Sequence, residues 1–480
     1  MEEKKDVGIT VKKDEDFSEW YTQAVSKSGL ADYSSVSGCM VIRELGYAIW
    51  DNIKKICEEK LYKLGIKPTY FPLFIPESLL KKEAAHVKGF SPEVAWVTHG
   101  GNTKLGEKLA IRPTSEAIMY DSYAKWIRSW RDLPLRLCQW NNVVRWEFKH
   151  PVLLMRTREF LWTEGHTVFA TEKEAEKEIK DIMNIWKDVC ENYLALYGIS
   201  GQKTEKEKFA GAVYTQSIEY YSPSGKAAQG PDAHYDGQNF AKAYDIKFID
   251  KDEKIKYPFQ NTWAITTRMV GIMVAVHGDN KGLVIPPKIA PNKIVIIPIY
   301  TGNEKKKILA EAGKLKDMLK EFNPILDDRE EYTPGWKFNE WELKGIPLRL
   351  EFGPKDLKEK QAVVVRRDTA KKIPVKLAQL KKTVPKMLAD MQDDLFKKSK
   401  KMMLDNVVEV KNMDELKKAV KDKKIAKAKF CNETKCEDNI KDKTGGATTR
   451  GIPLGSKKPA GKCVYCSKPA KVWVHIAKAY

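Results

Sequence analysis

The chain has 480 residues, 85 Lys+Arg against 65 Asp+Glu, and a formal charge of +20. That is too long for one hydrophobic core, and at roughly 100–200 residues per domain it predicts about three domains. The charged start Met1-Glu-Glu-Lys-Lys-Asp6 excludes an ordinary secretory signal, and no segment is long and apolar enough to span a bilayer, so a cytoplasmic protein without a membrane partner is expected. The basic excess favours a polyanionic partner, nucleic acid first, because such a field concentrates phosphate backbones at the surface; a solvated lysine-rich surface would give the same balance.

The first region, roughly residues 16–287, is rich in Trp, Tyr and short apolar runs, the composition of strands packed around a large cleft. In it, Asn142-Val-Val-Arg145-Trp-Glu147 leads through a short loop to Met155-Arg156-Thr-Arg-Glu-Phe160-Leu-Trp162-Thr-Glu164-Gly-His166. Strand alternation puts Arg145 and Glu147 on one face, and Arg156 on the returning strand faces them across the hairpin. Arginine forks suit phosphate oxygens, a carboxylate accepts from an adenine amino group, and Phe160 supplies a stacking plane, so the hairpin fits a nucleotide. Taken alone, an exposed hairpin with cross-strand ion pairs explains the same charges. Thr171 and Glu174 form a capping box for a helix expected over residues 171–196, with Ile179, Met183, Trp186, Val189 and Tyr193 on its core face. The proline-rich residues 281–291 cannot continue a helix and predict a hinge.

Beyond the hinge, residues 293–299 predict a buried parallel strand, 304–322 an amphipathic helix and 361–365 a second buried strand, the alternation of a compact α/β domain. Residues 335–356 interleave aromatics with charges, a pattern that stacks on and hydrogen-bonds unpaired bases and that a Trp-containing surface turn also shows. A long helix is expected over residues 375–403. The third region, residues 407–480, has a turn-rich middle at 441–455, expected to be mobile, and a strand at 471–477. Cys39, Cys57, Cys138 and Cys190 are scattered like small buried hydrophobes. Cys431, Cys436, Cys463 and Cys466 instead form Cys-x4-Cys and Cys-x2-Cys pairs, which in a long chain of cytosolic character point to metal rather than disulfides.

Three segments resemble, in order, the motifs of the class II aminoacyl-tRNA synthetases, whose catalytic domain is an antiparallel sheet flanked by helices. Gly65-Ile-Lys-Pro-Thr-Tyr-Phe-Pro72 resembles motif 1, the dimer-interface element; the Arg145-to-Glu164 hairpin resembles motif 2; Asn261-Thr-Trp-Ala-Ile-Thr-Thr-Arg268-Met-Val-Gly271 resembles motif 3 and its ATP-binding arginine. Arg112-Pro-Thr114-Ser-Glu116, Glu164-Gly-His166 and Gly271-Ile-Met-Val-Ala-Val-His277-Gly-Asp279 are similar to prolyl-tRNA synthetases of the archaeal and eukaryotic type, over nearly the whole chain. The resemblance implies a multidomain α+β and α/β architecture: a class II catalytic domain with an antiparallel sheet (1–287), an α/β anticodon-binding domain (288–400) and a small C-terminal α/β zinc-binding-like domain (401–480).

It also implies a homodimer that activates L-proline with ATP and Mg2+ to prolyl-adenylate and transfers it to the 3′ end of tRNA(Pro). By the same resemblance Arg145, Arg156 and Arg268 are catalytic, and proline is held by Thr114, Glu116, Arg145, Trp162, Glu164, His166, His234 and Thr262. ATP would meet Arg145, Glu147, Arg156, Phe160, Gln229, Asp232 and Arg268. Asp232 departs from the family: Gln229-Gly-Pro-Asp232-Ala-His234 replaces a glycine-glycine-threonine-serine run, placing a carboxylate within reach of magnesium or ribose where the family's threonine meets the nucleotide. Glu342, Arg349 and Asp356 match positions that read anticodon guanines. The cysteine quartet resembles the family's zinc module, in which four thiolates suit a structural tetrahedral zinc, with reduced core cysteines as the alternative. Tyr480 resembles the family's C-terminal tyrosine, whose carboxylate approaches the catalytic domain. About a hundred residues separate motifs 2 and 3, which leaves no room for the large editing insertion of bacterial-type relatives. The competing readings are another class II synthetase and a non-catalytic RNA-binding relative.

Overall fold

A computed structural model describes residues 8–86, 93–147 and 150–480; the charged start, on which the exclusion of a secretory signal rests, lies outside them. Helix α1 (Glu44–Lys63) buries Ile49, Trp50, Ile53, Cys57 and Leu61, spaced to share one face. It stops before Gly65, whose φ of +76° favours glycine, and the turn delivers β1 (Lys67–Pro68) parallel to a later strand. Then come α2 (Glu116–Trp126), β2 (Leu135–Val144) and β3 (Glu159–Phe169), the last two antiparallel from Leu135↔Val168 to Val144↔Glu159. Helix α3 (Glu172–Asp188) starts on the Thr171–Glu174 capping box, but the regular helix ends eight residues earlier than expected, because the turns widen to π geometry over Val189–Tyr193. Strands β4 (Ile199–Gln202), β5 (Tyr214–Tyr221), β6 (Lys226–Gly237) and β7 (Phe259–Thr266) follow, then α4 (Arg268–His277), buried from Met269 onward.

The next segment builds its own mixed sheet. It comprises β8 (Ile294–Pro298), α5 (Lys305–Met318), β9 (Ile325–Leu326), α6 (Pro334–Lys344), β10 (Leu348–Phe352), β11 (Gln361–Arg366) and β12 (Lys372–Lys376), with strands in the order β9-β8-β10-β11-β12. β8 is fully buried and parallel to both neighbours, as its apolar run predicts. The long helix α7 runs over Leu380–Asp405, so Val375 is not helical. Lys-Ile-Pro-Val-Lys there alternates in exposure along the edge strand β12, where Pro374 is tolerated because an edge leaves a donor position unused.

The third region contributes β13 (Val407–Val410), β14 (Ile425–Phe430), α8 (Thr434–Lys443), β15 (Ala447–Pro453) and β16 (Val472–Ala479). Of the segment expected to be mobile, residues 441–443 end α8, a turn over 444–446 carries Gly445 and Gly446 at φ +64° and +106°, and a second turn falls at Leu454 and Gly455. The rest is β15, because Thr448 and Thr449 suit a pleated strand and the edge of β4 offers a ladder, Ile452↔Gln202 and Pro453↔Gly201. The described residues of the first and third regions therefore share one eleven-stranded sheet, β13-β14-β16-β15-β4-β5-β6-β7-β3-β2-β1. Its pairing is antiparallel except at β13–β14, β1–β2 and a short β6–β16 contact. Tyr480 is anchored rather than frayed: its N–H donates to the Ala227 carbonyl at 3.2 Å, and its hydroxyl lies 3.0 Å from both Ser222 Oγ and Ser224 Oγ.

One sheet face is covered by α1, α3 and α4. The period of two sends Ala233, Tyr235, Trp263 and Ile265 into that core and Asp232, His234, Thr262 and Ala264 toward an open cavity. Gly165 is needed between Glu164 and His166 because it lies opposite Trp263, whose indole would overlap any Cβ there. Among the described residues no helix is long and apolar enough to cross a membrane.

Candidate functional site

The cavity, about 850 Å³, is lined by every residue expected to hold proline and by every residue expected to hold ATP except Arg156. Strand β3 turns Trp162, Glu164 and His166 to one face. Glu164 is buried, and its carboxylate accepts hydrogen bonds from Ser115 N (3.0 Å), Ser115 Oγ, Gln139 Nε2 (3.0 Å) and Asn141 Nδ2 (2.8 Å). His166 Nε2 lies 3.1 Å from Glu164 Oε2. Burial alone would raise the Glu164 carboxyl, but the contact with His166 and the bonds from Ser115 and Asn141 hold it at about 2. For His166 burial favours the neutral ring, and the hydrogen bond to Glu164 with the nearby Glu116 charge outweighs it, so its pKa is raised. The two form a buried ion pair.

Glu116 adds a further carboxylate at the first residue of α2, where the helix N-terminus favours negative charge; it accepts from Thr114 Oγ1. Asp236 is fully buried, and its carboxyl is pushed well up by burial and by the Glu116 charge. Glu116 and Glu164 thus make this end of the cavity acidic, with His166 set against them. Trp162 closes a wall, its indole N–H donating to Asn141 Oδ1 at 2.6 Å, and the Tyr120 ring meets His166 edge-on at 5.6 Å. Ligand atoms of Glu116, Glu164 and His166 lie within 4.8 Å of one another, close enough for a metal ion. Glu164 and His166 already satisfy each other, however, so a small organic cation with an apolar body fits better.

Beside that pocket stand two guanidinium groups. Arg145 Nε donates to the Pro113 carbonyl at 3.0 Å, and its guanidinium lies 5.6 Å from the Phe160 ring and 5.3 Å from the Trp162 ring. Arg268 Nε donates to the Met155 carbonyl at 2.9 Å and Nη1 to the Gln229 carbonyl at 3.3 Å; burial and then the like charge of Arg145 lower its pKa. Two repelling cations in one cavity are relieved by an anion. Asp232 faces the same space, accepting from Gln229 Nε2 at 2.9 Å and lying 3.5 Å from His234 Nε2. His234 Nδ1 is 2.8 Å from Thr215 Oγ1.

Two expectations for the hairpin are corrected. Arg156 is not on the returning strand, which begins at Glu159; it is the exposed end of a turn whose Leu153, Leu154 and Met155 are buried, closed by backbone bonds with Val152 and made possible by Leu154 at φ +60°. It sits between the lining residues Met155 and Thr157 but does not itself line the cavity. Glu147 lies beyond the end of β2 and reaches the cavity from the loop rather than by strand alternation.

In the second sheet, Arg349 Nη1 meets Glu342 Oε1 at 3.0 Å and Nη2 meets Glu351 Oε1 at 3.0 Å, with its guanidinium 4.3 Å from the Phe338 ring. Asp356 instead accepts from Gly353 N at 3.0 Å and caps its own short helix. The sulfurs of Cys431, Cys436, Cys463 and Cys466 lie within 4.8 Å of one another, and Cys431 and Cys466 are 3.7 Å apart. Zinc–sulfur bonds of about 2.3 Å in a tetrahedron put sulfurs roughly 3.8 Å apart, so the quartet fits that ion. The sequence reading missed Ser115, Gln139 and Asn141. Gln139 and Asn141 are polar at alternate positions, but the strand also carries Arg136 and Asn142, so alternation alone did not single them out.

Sheet and cavity define a class II aminoacyl-tRNA synthetase: a profile described as the tRNA synthetase class II core domain (G, H, P, S and T) matches residues 97–277, and an anticodon binding domain profile matches 293–387. A profile of the prolyl-tRNA synthetase C-terminal domain matches 413–480. Proteins named proline–tRNA ligase from Alkaliphilus oremlandii and proline–tRNA ligase 2 from Bacillus cereus are each 47% identical, over 97% of this chain and 96% of the first relative, and over 99% of this chain and 100% of the second. A crystal structure of prolyl-tRNA synthetase from Cryptosporidium parvum, complexed with halofuginone and AMPPNP, has a TM-score of 0.94 at 41% identity, covering 99% of this chain and 100% of that one. The chain belongs to the prolyl-tRNA synthetase family.

The pKa of Glu164 makes a prediction about acid stability. Held at about 2 against an ordinary 4.5, it contributes stability that is fully present above pH 4.5 and is lost as pH falls toward 2. Urea melts across that window should show a shallower acid dependence in Glu164→Gln than in the parent chain; parallel curves would contradict the ion pair.

Proposed function

We propose that the chain activates L-proline with ATP and esterifies it to the 3′ end of tRNA(Pro). The observation that carries this is the juxtaposition, in one cavity, of a buried acidic pocket built on Glu116 and Glu164 and the guanidinium pair of Arg145 and Arg268. A zwitterionic imino acid matches both halves. Its secondary ammonium has two donors for Glu116 and Thr114 while Trp162, Glu164, His166, His234 and Thr262 bound its ring; its carboxylate turns to Arg145. AMPPNP in the Cryptosporidium relative supports ATP as the second substrate.

In the first step a proline carboxylate oxygen attacks the α-phosphorus, the bond to the bridging oxygen breaks, and pyrophosphate leaves prolyl-adenylate. Arg145 bridges the carboxylate and α-phosphate, Phe160 stacks on adenine, Glu147 accepts from its amino group, and Arg268 and Gln229 hold the phosphate chain. Arg156 reaches the terminal phosphates only by turning in from its exposed turn. In the second step a terminal ribose hydroxyl of tRNA attacks the activated carbonyl and AMP leaves. No covalent enzyme nucleophile is needed, since positioning and charge complementarity supply the rate. Bound magnesium would screen the ATP phosphates, and Asp232, whose carboxylate lines the cavity beside Gln229 and Arg268, would be the side chain to hold it.

We assign residues 1–287 to catalysis, 288–400 to anticodon reading through Glu342, Arg349 and Asp356, and 401–480 to a domain whose four cysteines hold a structural zinc. A homodimer through the motif 1 region is supported by exposed Tyr62, Tyr70 and Phe74. The cytoplasm, where tRNA is charged, is the expected site of action.

Exchange of pyrophosphate into ATP should depend on proline and on no other amino acid. Arg145→Ala should lower it on the order of 10²-fold or more, and exchange surviving that change would refute the assignment. Asp232→Ala is expected to raise the magnesium concentration needed for half-maximal exchange; an unaltered magnesium dependence and ATP Michaelis constant would remove Asp232 from the site. Metal analysis should find about one zinc per chain, with Cys431→Ser losing it and melting at lower temperature; a zinc-free chain of unchanged melting temperature would exclude the structural role.

A further inference from the structure

A buried charge cluster, one member of which, Lys203, lines the cavity, joins the third region to the catalytic sheet. Arg450 on β15 donates from Nε (3.1 Å) and Nη2 (2.9 Å) to Glu219 Oε2 on β5, while Lys203 Nζ lies 2.6 Å from Glu219 Oε1 and donates to the Arg450 carbonyl at 3.1 Å. All three side chains are at least nine-tenths buried. Burial opposes the charge on Glu219, and Lys203 and Arg450 overcome it, leaving the carboxyl below its ordinary value. Buried ion clusters stabilise folds little compared with apolar side chains of the same volume, so what this one contributes is sought in the geometry it fixes.

That geometry leads to Arg268. Glu219 follows a β-bulge at Ser217/Glu219, and across the β5–β6 ladder it faces Gln229. Bulges re-aim the residues around them. The Gln229 carbonyl accepts from Arg268 Nη1 at 3.3 Å, and its side-chain amide donates to Asp232 at 2.9 Å. Glu219 and Asp232 are also the carboxylates whose charge favours the protonated form of Arg268 against burial and against the like charges of Arg145 and Arg450, so Arg450 acts on Arg268 through the Glu219 that it holds and not through its own charge. A shift of Glu219 would therefore displace the backbone that carries one guanidinium contact and alter the field at the same group.

We propose that Arg450, with Lys203 and Glu219, is a positioning residue for adenylate formation: the third region, through this cluster, holds Arg268 in the place where it meets ATP. The inference rests on the assignment of Arg268 to the ATP phosphates. It is specific to the nucleotide half of the cavity, since Thr114, Glu116, Glu164 and His166 are held by β2, β3 and α2 and by no contact with the cluster.

Arg450→Lys keeps the charge but loses the fork, and Glu219→Gln keeps acceptor and volume but loses the charge. Both should raise the ATP Michaelis constant or lower the exchange kcat about tenfold, leaving the proline Michaelis constant close to the parent's, while Glu219→Gln, which leaves Lys203 and Arg450 buried without their carboxylate, melts at a lower temperature. A merely structural contact would move both substrates together or neither. Arg268→Ala is measured in parallel. If it leaves exchange intact, the ATP assignment itself fails. If it suppresses exchange while folded Arg450→Lys and Glu219→Gln keep parental values for ATP, or lose proline and ATP equally, the positioning role is overturned. Should one variant not fold, the other carries the same test.

Discussion

Glu164 carries a full negative charge where water does not reach, and the cavity is arranged around that charge. Its partners come from three elements: the Ser115 backbone and hydroxyl at the start of α2, the amides of Gln139 and Asn141 on β2, and the imidazole of His166 two residues along its own strand. An unpaired buried carboxylate would be protonated or would open the site, so these elements are locked in register by the cost of leaving it unsatisfied. Asn141 passes the constraint on to the Trp162 indole, and Gly165 leaves the room that Trp263 requires beneath it. The Glu-Gly-His run is thus an electrostatic centre and a packing solution at once.

The same cavity juxtaposes opposite fields within a few side chains. The Thr114–Glu116 end is acidic, with the carboxyl groups of Glu116 and Glu164 set around His166; the Arg145–Arg268 end is positive and its charges repel. Substrates that carry both signs relieve both ends. This division accounts for the absence of a nucleophile among the proposed roles: the chemistry lies in bringing a carboxylate and a phosphate together where their charges are already compensated.

Much of this was legible in the sequence where local rules decide. The Thr171–Glu174 capping box, the buried strand at Ile294–Pro298 and the paired strands of the hairpin follow from periodicity and capping alone. The errors fall where tertiary partners decide. Ala447–Pro453 looks like a loop until the free edge of β4 gives it a ladder, and Val375 looks helical until β11 takes it as an edge strand. Arg156 was assigned to a strand because alternation assumes that the strand persists through the turn, and the left-handed Leu154 shows that it does not. The Lys203–Glu219–Arg450 cluster left no local mark, since its members are 16 and 231 residues apart in sequence and are united only by the sheet.

The continuity of that sheet sets which parts of the chain can be exchanged. The second region has a sheet of its own, so it can vary as a unit without uncovering the catalytic ladder. The third region cannot be removed so cheaply: its loss would bare the outer N–H and C=O groups of β4 and leave Glu219 without its guanidinium, creating a sticky edge beside a buried charge. A shortened chain would therefore tend to self-associate through that edge, and a fused or inserted domain would be better tolerated at the joints of the second region than after residue 405. The modularity of the protein is thus unequal: of its two appended regions, one carries a sheet of its own and meets the first through side-chain contacts such as Arg367–Asp279, and the other is the catalytic sheet's own border.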